Sequence, residues 1–318
     1  MTNGPRPALI DTDPGLDDVL ALAFALQSSA LDVHAITVVA GNVPLSVCTA
    51  NALRVLEVFA ADSPPPVYEG CAEPLSPRVC RAEHVHAADG IGGVSGAYPI
   101  RRLRPEDGHA VAATIELARR YHGDLVLIAL GPLTNVAVAL ERDPEAMQGI
   151  HELVVMGGSI DGTGNATPHA EFNFYSDPIA AREVVRSGLP VTLVGLNVTE
   201  CALLPRARFD ARVTAMTKGL RRQFLRDVAG PYFDFCKKEQ GRDACALHDP
   251  LAVAAAVDPG VVRTKRIPCD VVVSQGITRG RLVTEREGGC SSAVPVRAAT
   301  KVDGERFHDL FLDTVCGP

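Results

Sequence analysis

Tryptophan is absent from the 318 residues, and aromatic residues make up only 5% of them. The core must therefore be filled mostly by Val, Leu, Ala and Ile. Cys-x-x-Cys spacing is missing as well. The nine cysteines are scattered and odd in number, so neither a zinc site nor a disulfide framework is signalled. Reduced thiols in a cytoplasmic protein are the simplest reading. No apolar run approaches the ~18–20 residues that span a bilayer, which excludes a membrane partner. The first seven residues are short and polar, without the apolar stretch of a signal peptide. A basic excess is lacking too. The net charge is -7 with both signs interspersed, which argues against a nucleic-acid partner. What remains is a globular composition, 47% apolar, long enough for one large domain or two smaller ones.

Short apolar runs alternate with longer amphipathic ones. Strands are expected at residues 8–10, 33–40, 125–130, 152–156 and 191–194, each with little polar alternation, as in a parallel sheet covered on both faces. Helices are expected at 17–27, 46–61, 108–121, 134–142 and 178–187. Further helical stretches cover 206–229 and 230–240, and another helix starts near Pro250. Residues 267–274 and 279–284 read as a β-hairpin with Gln275-Gly276 near its turn. The alternation implies repeated βαβ units: an α/β fold with an open, doubly wound, mostly parallel sheet flanked by helices and a C-terminal hairpin. Nothing divides the chain, so one domain over 1–318 is expected. Residues 70–106 form a glycine-containing stretch without periodicity, and loops of that length are usually functional.

The most informative stretch is Asp11-Thr12-Asp13-Pro14-Gly15-Leu16-Asp17-Asp18, four carboxylates in eight residues between a strand candidate and a helix candidate. Carboxylates this dense repel each other, and a hard cation would remove the cost. Ligands of open parallel sheets bind at the carboxyl ends of strands. Asp17 can cap the helix, where the dipole favours negative charge. A competing reading takes Asp11-x-Asp13 as the nucleophile motif of haloacid-dehalogenase-type phosphotransferases. Pro14 is atypical there, and Asp17-Asp18 stay unexplained. Other chemistry-bearing residues fall at expected strand ends: Asn42, the Leu130 carbonyl freed by Gly131-Pro132, Met156, Asn165, Glu171, Asn173, and His248-Asp249.

Asp-x-Asp-Pro-Gly-x-Asp-Asp, Val-x-Gly-Asn at 39–42, Gly-Pro-Leu-Thr-Asn at 131–135, Met-Gly-Gly at 156–158, Ala-Glu-Phe-Asn at 170–173 and His-Asp-Pro at 248–250 occur in that order. In this the chain resembles the inosine-uridine nucleoside hydrolases over nearly its whole length. The resemblance implies a Ca²⁺ ion held by Asp13, Asp18, the Leu130 carbonyl and Asp249. It implies hydrolysis of the N-glycosidic bond of a ribonucleoside, in purine or pyrimidine salvage. Asp13 would be the general base for the attacking water. Asp17 would hold the ribose 2′-hydroxyl, Asn173 the 2′- and 3′-hydroxyls, and Asn165 with Glu171 the 5′-hydroxyl. Asn42 would sit near the ribose and the water, with Met156 and Phe172 against the sugar. His248 would give a proton to the leaving base, its pKa suited to neutral pH. His86 would face the base, Tyr232 is a candidate base contact, and Asp11 would orient the metal ligands from behind. The family forms homodimers and homotetramers. A nucleoside-binding protein without turnover is the remaining alternative.

Overall fold

The computed structural model describes residues 4–60, 62–284 and 293–317. Residues 1–3 of the polar start, Ala61 at the expected end of the second helix, Cys290 and Pro318 lie outside the described residues. In chain order the strands are β1 (Arg6–Thr12), β2 (Leu31–Val38), β3 (Val67–Glu69), β4 (Val126–Ala129), β5 (Glu152–Met156), β6 (Val191–Val194), β7 (Leu203–Pro205), β8 (Ala244–Ala246), β9 (Val262–Val271), β10 (Leu282–Thr284) and β11 (Val294–Val302). The helices are α1 (Leu16–Gln27), α2 (Leu45–Phe59), α3 (Glu83–His86), α4 (Ala110–Arg120), α5 (Thr134–Arg142), α6 (Pro144–Gln148), α7 (Phe172–Ser176), α8 (Pro178–Arg186), α9 (Leu196–Thr199), α10 (Arg206–Ala215), α11 (Leu220–Gln240), α12 (His248–Val257) and α13 (Gly304–Val315).

The main sheet runs β10-β9-β11-β6-β5-β4-β1-β2-β3, and β7 pairs with β8 apart from it. From β3 to β6 the neighbours are parallel. That order, 3-2-1-4-5-6, is the doubly wound one, with its crevice where β1 and β4 diverge. Alternate residues feed two cores. Val126 and Ile128 of β4, with Val154 and Met156 of β5, pack toward α1, α2, α11, α12 and α13. Leu127 and Ala129, with Leu153 and Val155, pack toward α4, α5 and α8. Burying each such Val or Leu contributes roughly 1.5–3 kcal/mol. Both faces are covered, which is why these strands read as continuous apolar runs.

The C-terminal antiparallel pair is present, with Leu282 opposite Val271 and Thr284 opposite Cys269. It belongs to the main sheet through β11, an element the sequence reading lacked. Pro295 stands opposite Pro268 in that ladder, and prolines argue against a strand because they cannot donate. They are tolerated here because β11 meets β6 only at Arg297 and Ala298. The expected helical stretches 206–229 and 230–240 are corrected: α10 ends at Ala215, and α11 runs unbroken through Gly230 and Pro231. The Pro231 ring packs so closely on Gly92 that a β-carbon there would meet it at 2.6 Å. This contact seats the 70–106 stretch against α11.

Candidate active site

The carboxyl ends of β1, β2 and β4 bring Asp13, Asn42 and Leu130 together. Asn42 is the bracket between them. Its backbone N–H donates to Asp13 Oδ2 at 2.7 Å, and its side-chain amide donates to the Asp13 carbonyl at 3.1 Å and to Asp18 Oδ2 at 3.0 Å. Asp18 also accepts from Thr12 Oγ1 at 2.6 Å and from the Gly15 N–H at 3.0 Å, which caps α1. Gly41 and Gly131 wall the Asp13 carboxyl. A β-carbon at either would meet its oxygens at 2.0 Å and 2.5 Å. Asp13 is thus locked, yet its Oδ1 is buried with no hydrogen-bond partner.

Asp17 and Asp18 open α1, and Asp249 lies in the first turn of α12, which packs beside α1. One oxygen from each of the three lies within 4.8 Å of the others. All four carboxylates are at least 93% buried, and burial pushes each above the ordinary carboxylate range. The charges acting on Asp13 and Asp249 come from neighbouring carboxylates and push in the same direction. Asp18 and Asp249 are within hydrogen-bonding reach of each other. Two carboxylates that close cannot both ionise unaided, so a proton or a cation must lie between them. The orphaned Asp13 Oδ1 and the all-oxygen donor set fit a hard cation. The Leu130 carbonyl faces the same crevice and accepts from Asn173 Nδ2 at 2.6 Å.

A cavity of about 540 Å³ opens over this group, bordered by Asp17, Asn42, Leu130, Met156, Asn173 and Asp249. Asn165, Glu171, Phe172, His86, Tyr232 and His248 border it too. Glu171 caps α7, accepting from the N–H groups of Asn173 at 2.7 Å, Phe174 at 3.1 Å and Gly158 at 3.0 Å. Burial still raises its pKa to about 7. Asn165 Oδ1 accepts from the Phe172 N–H at 2.9 Å, leaving its NH₂ unspent. Asn173 also donates to the Met156 carbonyl at 3.2 Å. His86 Nδ1 accepts from the Leu16 N–H at 2.9 Å, so the neutral ring keeps its proton on Nε2. Burial, with His84 and His248 nearby, lowers its pKa to about 3.

Three expectations change in detail. His248 does not titrate near neutrality, because burial lowers its pKa to about 4. Its Nδ1 lies 2.8 Å from Thr199 Oγ1, which orients the ring. Tyr232 spends its hydroxyl on the Ala246 carbonyl at 2.8 Å, so only its ring is left for the cavity. Asp11 turns away from the group. Its Oδ1 accepts from Thr37 Oγ1 at 2.6 Å and from Asn135 Nδ2 at 2.8 Å. Those partners lie on the α5 side of the sheet, away from the crevice, which does not favour the phosphotransferase nucleophile reading.

Sequence reasoning missed Thr12, Thr199 and several wall residues: Arg78, Arg81, Tyr175, Phe235, Glu239 and Gln240. Thr12 lay inside the first motif. Thr199 follows the end of β6, where the same strand-end rule applied to β1 and β4 would have found it.

Comparison with known proteins agrees with this geometry. The family model of the inosine-uridine preferring nucleoside hydrolases matches residues 8–309. The chain is 34% identical to the inosine-uridine preferring nucleoside hydrolase of Crithidia fasciculata over 98% of both chains. Among solved structures, a plant nucleoside hydrolase superposes with a TM-score of 0.90 at 32% identity, covering 99% of this chain and all of that one. The purine-preferring ribonucleoside hydrolase from Gardnerella vaginalis superposes at 0.88 and 32% identity, covering 98% of each. Its carboxylate crevice, its sheet order and its near full-length likeness to these enzymes place this chain in the inosine-uridine preferring nucleoside hydrolase family.

Proposed function

We propose that the chain is a single-domain, Ca²⁺-dependent ribonucleoside hydrolase that splits the N-glycosidic bond to ribose and free base in purine or pyrimidine salvage. The observation that carries this reading is the buried group of Asp17, Asp18 and Asp249, beside an unpartnered Asp13 Oδ1, opening into a cavity of about 540 Å³. Asp13, Asp18, Asp249 and the Leu130 carbonyl are the residues that would hold the cation, an all-oxygen set suited to Ca²⁺. When bound, Ca²⁺ supplies Lewis acidity and lowers the pKa of water.

Asp13 takes the proton of the attacking water through Oδ1, its one free oxygen. Asn42 keeps that carboxylate fixed, so no reorganisation is needed as the proton moves. Asp17 binds the 2′-hydroxyl, Asn173 the 2′- and 3′-hydroxyls, and Asn165 with Glu171 the 5′-hydroxyl. Met156 and Phe172 pack against the sugar. Cleavage leaves positive charge on the ribose ring, as in glycoside hydrolysis generally. A crevice of buried carboxylates favours that charged ring over the neutral nucleoside, which is differential binding. Thr199 orients His248 to protonate the departing base, and His86 presents its Nε2–H to the same base.

The relatives' names span inosine-uridine and purine preferences. The test is therefore base release from inosine, adenosine, uridine and cytidine in phosphate-free buffer, with metal content measured alongside. The expected result is free ribose and base in equal amounts from at least one nucleoside. Tight nucleoside binding with no release would leave a binding protein instead.

A further inference from the structure

Cys236 and Cys245 stand apart from the chemistry above. Cys236 lies on α11 and Cys245 in β8, and their sulfurs are 2.9 Å apart. Both side chains are buried, at 3% and 0% exposure. An S–S bond is about 2.04 Å long, so closure needs about 0.9 Å of travel. Gly241, in the left-handed region at φ 67°, reverses the chain after α11 and lays β8 back along its last turns. A second tie, from the Tyr232 hydroxyl to the Ala246 carbonyl, joins the same two elements. The two cysteines are not equivalent. Cys236 borders the cavity and is reachable through its mouth, whereas Cys245 is not on the cavity wall. The Cys245 S–H donates to Cys236, which lowers the Cys236 pKa and raises that of Cys245. That pairing makes Cys236 the attacking thiolate and Cys245 the resolving thiol.

We propose that Cys236 and Cys245 form a reversible disulfide that clamps α11 to β8 and resets the wall of the cavity. The oxidant is a small-molecule disulfide. The Cys236 thiolate attacks one of its sulfurs, the S–S bond breaks, and the first thiolate leaves with the proton of Cys245. The Cys245 thiolate then attacks the Cys236 sulfur and expels a second thiolate. That thiolate takes up the proton Cys236 had released to solvent. Two protein thiols are oxidised, and one small disulfide is reduced to two thiols. The clamp reaches the cavity because α11 supplies Tyr232, Phe235, Cys236, Glu239 and Gln240 to its wall.

The experiment treats the folded, metal-replete protein with hydroxyethyl disulfide, alkylates the free thiols, and maps the peptides. The expected result is a joined Cys236–Cys245 peptide pair, lighter by two hydrogens, with both alkylation sites lost and dithiothreitol restoring them. The clamped form should lose about tenfold in kcat/KM for p-nitrophenyl β-D-riboside, within the ~10²-fold that a 1 Å misplacement can cost. Cys245→Ala should keep the reduced protein's activity and, on treatment, give no joined pair but a Cys236 mixed disulfide that dithiothreitol removes. Cys245→Ser serves the same purpose if the Ala variant does not fold. Exposed Cys201 is the internal control for delivery of the reagent. A mixed disulfide at Cys201 with Cys236 and Cys245 still alkylatable would overturn the proposal. A joined pair with unchanged kcat/KM would overturn its link to the cavity. The peptide readout needs no nucleoside hydrolysis, so its failure is distinct from failure of the proposed function.

Discussion

Asp11 and Asp13 stand two residues apart and meet different surroundings. Asp11 follows Leu9 in strand period, so its side chain faces the α5 layer and meets Asn135. Asp13 lies past the strand end, where the turn swings it into the crevice. The difference gives two expectations. Asp13→Asn keeps an oxygen for the Asn42 N–H, so thermal unfolding should stay near that of the parent, while base release drops by ~10²–10⁴-fold. His248→Ala should slow inosine far more than p-nitrophenyl riboside, whose leaving group needs no proton. With the ring's pKa at about 4, the His248-dependent share of the inosine rate should grow as pH falls from neutral. Equal loss on both substrates would show that His248 is not the acid. At this scale the contiguous carboxylates were legible because one turn carries them. Leu130 and Asp249 were picked out by their places at expected strand ends, and their joining of Asp13 and Asp18 in one ligand set came through the family resemblance. The place of Thr199 after β6 was legible, but its pairing with His248 was not, because only the packing of α9 beside α12 brings the two together.

Among the elements, α7 is a five-residue piece that puts Phe172 and Asn173 on the cavity wall, and Glu171 holds it in place. Three backbone N–H groups converge on that one carboxylate. Glu171→Ala should therefore cost about 2 kcal/mol of stability, at the upper end for a lost cap. Its pH dependence has a definite sign. The folded pKa of about 7 lies above the ordinary 4.5, so the folded state binds the proton more tightly than the unfolded chain. Its contribution is fully present below pH 4.5 and is lost as pH rises through 7, on the order of 1–3 kcal/mol. Denaturant unfolding of metal-free protein across that range should show a smaller loss in Glu171→Gln than in the parent, the remainder coming from the buried aspartates. The helix 134–142 and the strand 152–156 were legible to the residue, because both have clean apolar periods. Helix α11 was not, since Gly230-Pro231 reads as a stop and only contact with Gly92 explains its continuation.

At the scale of the whole molecule, the sheet serves to converge strand ends. Five parallel strands deliver Asp13, Asn42, Leu130, Met156 and, through α9, Thr199 to one edge. The alternation of runs made this α/β layout legible. It did not reveal β11 or α13, which close the far side of the sheet and carry little functional signal. Because the carboxylates come from α1 and α12, a bound cation would tie those two packed helices together. Metal removal should then lower the melting temperature. At a metal concentration ~1,000-fold above Kd the difference should approach ~4 kcal/mol. Apparent metal affinity should rise with pH, because carboxylates held protonated by burial must ionise to bind.

The most direct measurement follows base and ribose release from inosine and uridine in phosphate-free buffer, using protein of known metal content, before and after exhaustive chelation. The account predicts base and free ribose in equal amounts, loss of turnover with the metal, and recovery on adding Ca²⁺. Release that requires phosphate and yields a sugar phosphate, or full turnover by metal-free protein, would contradict it.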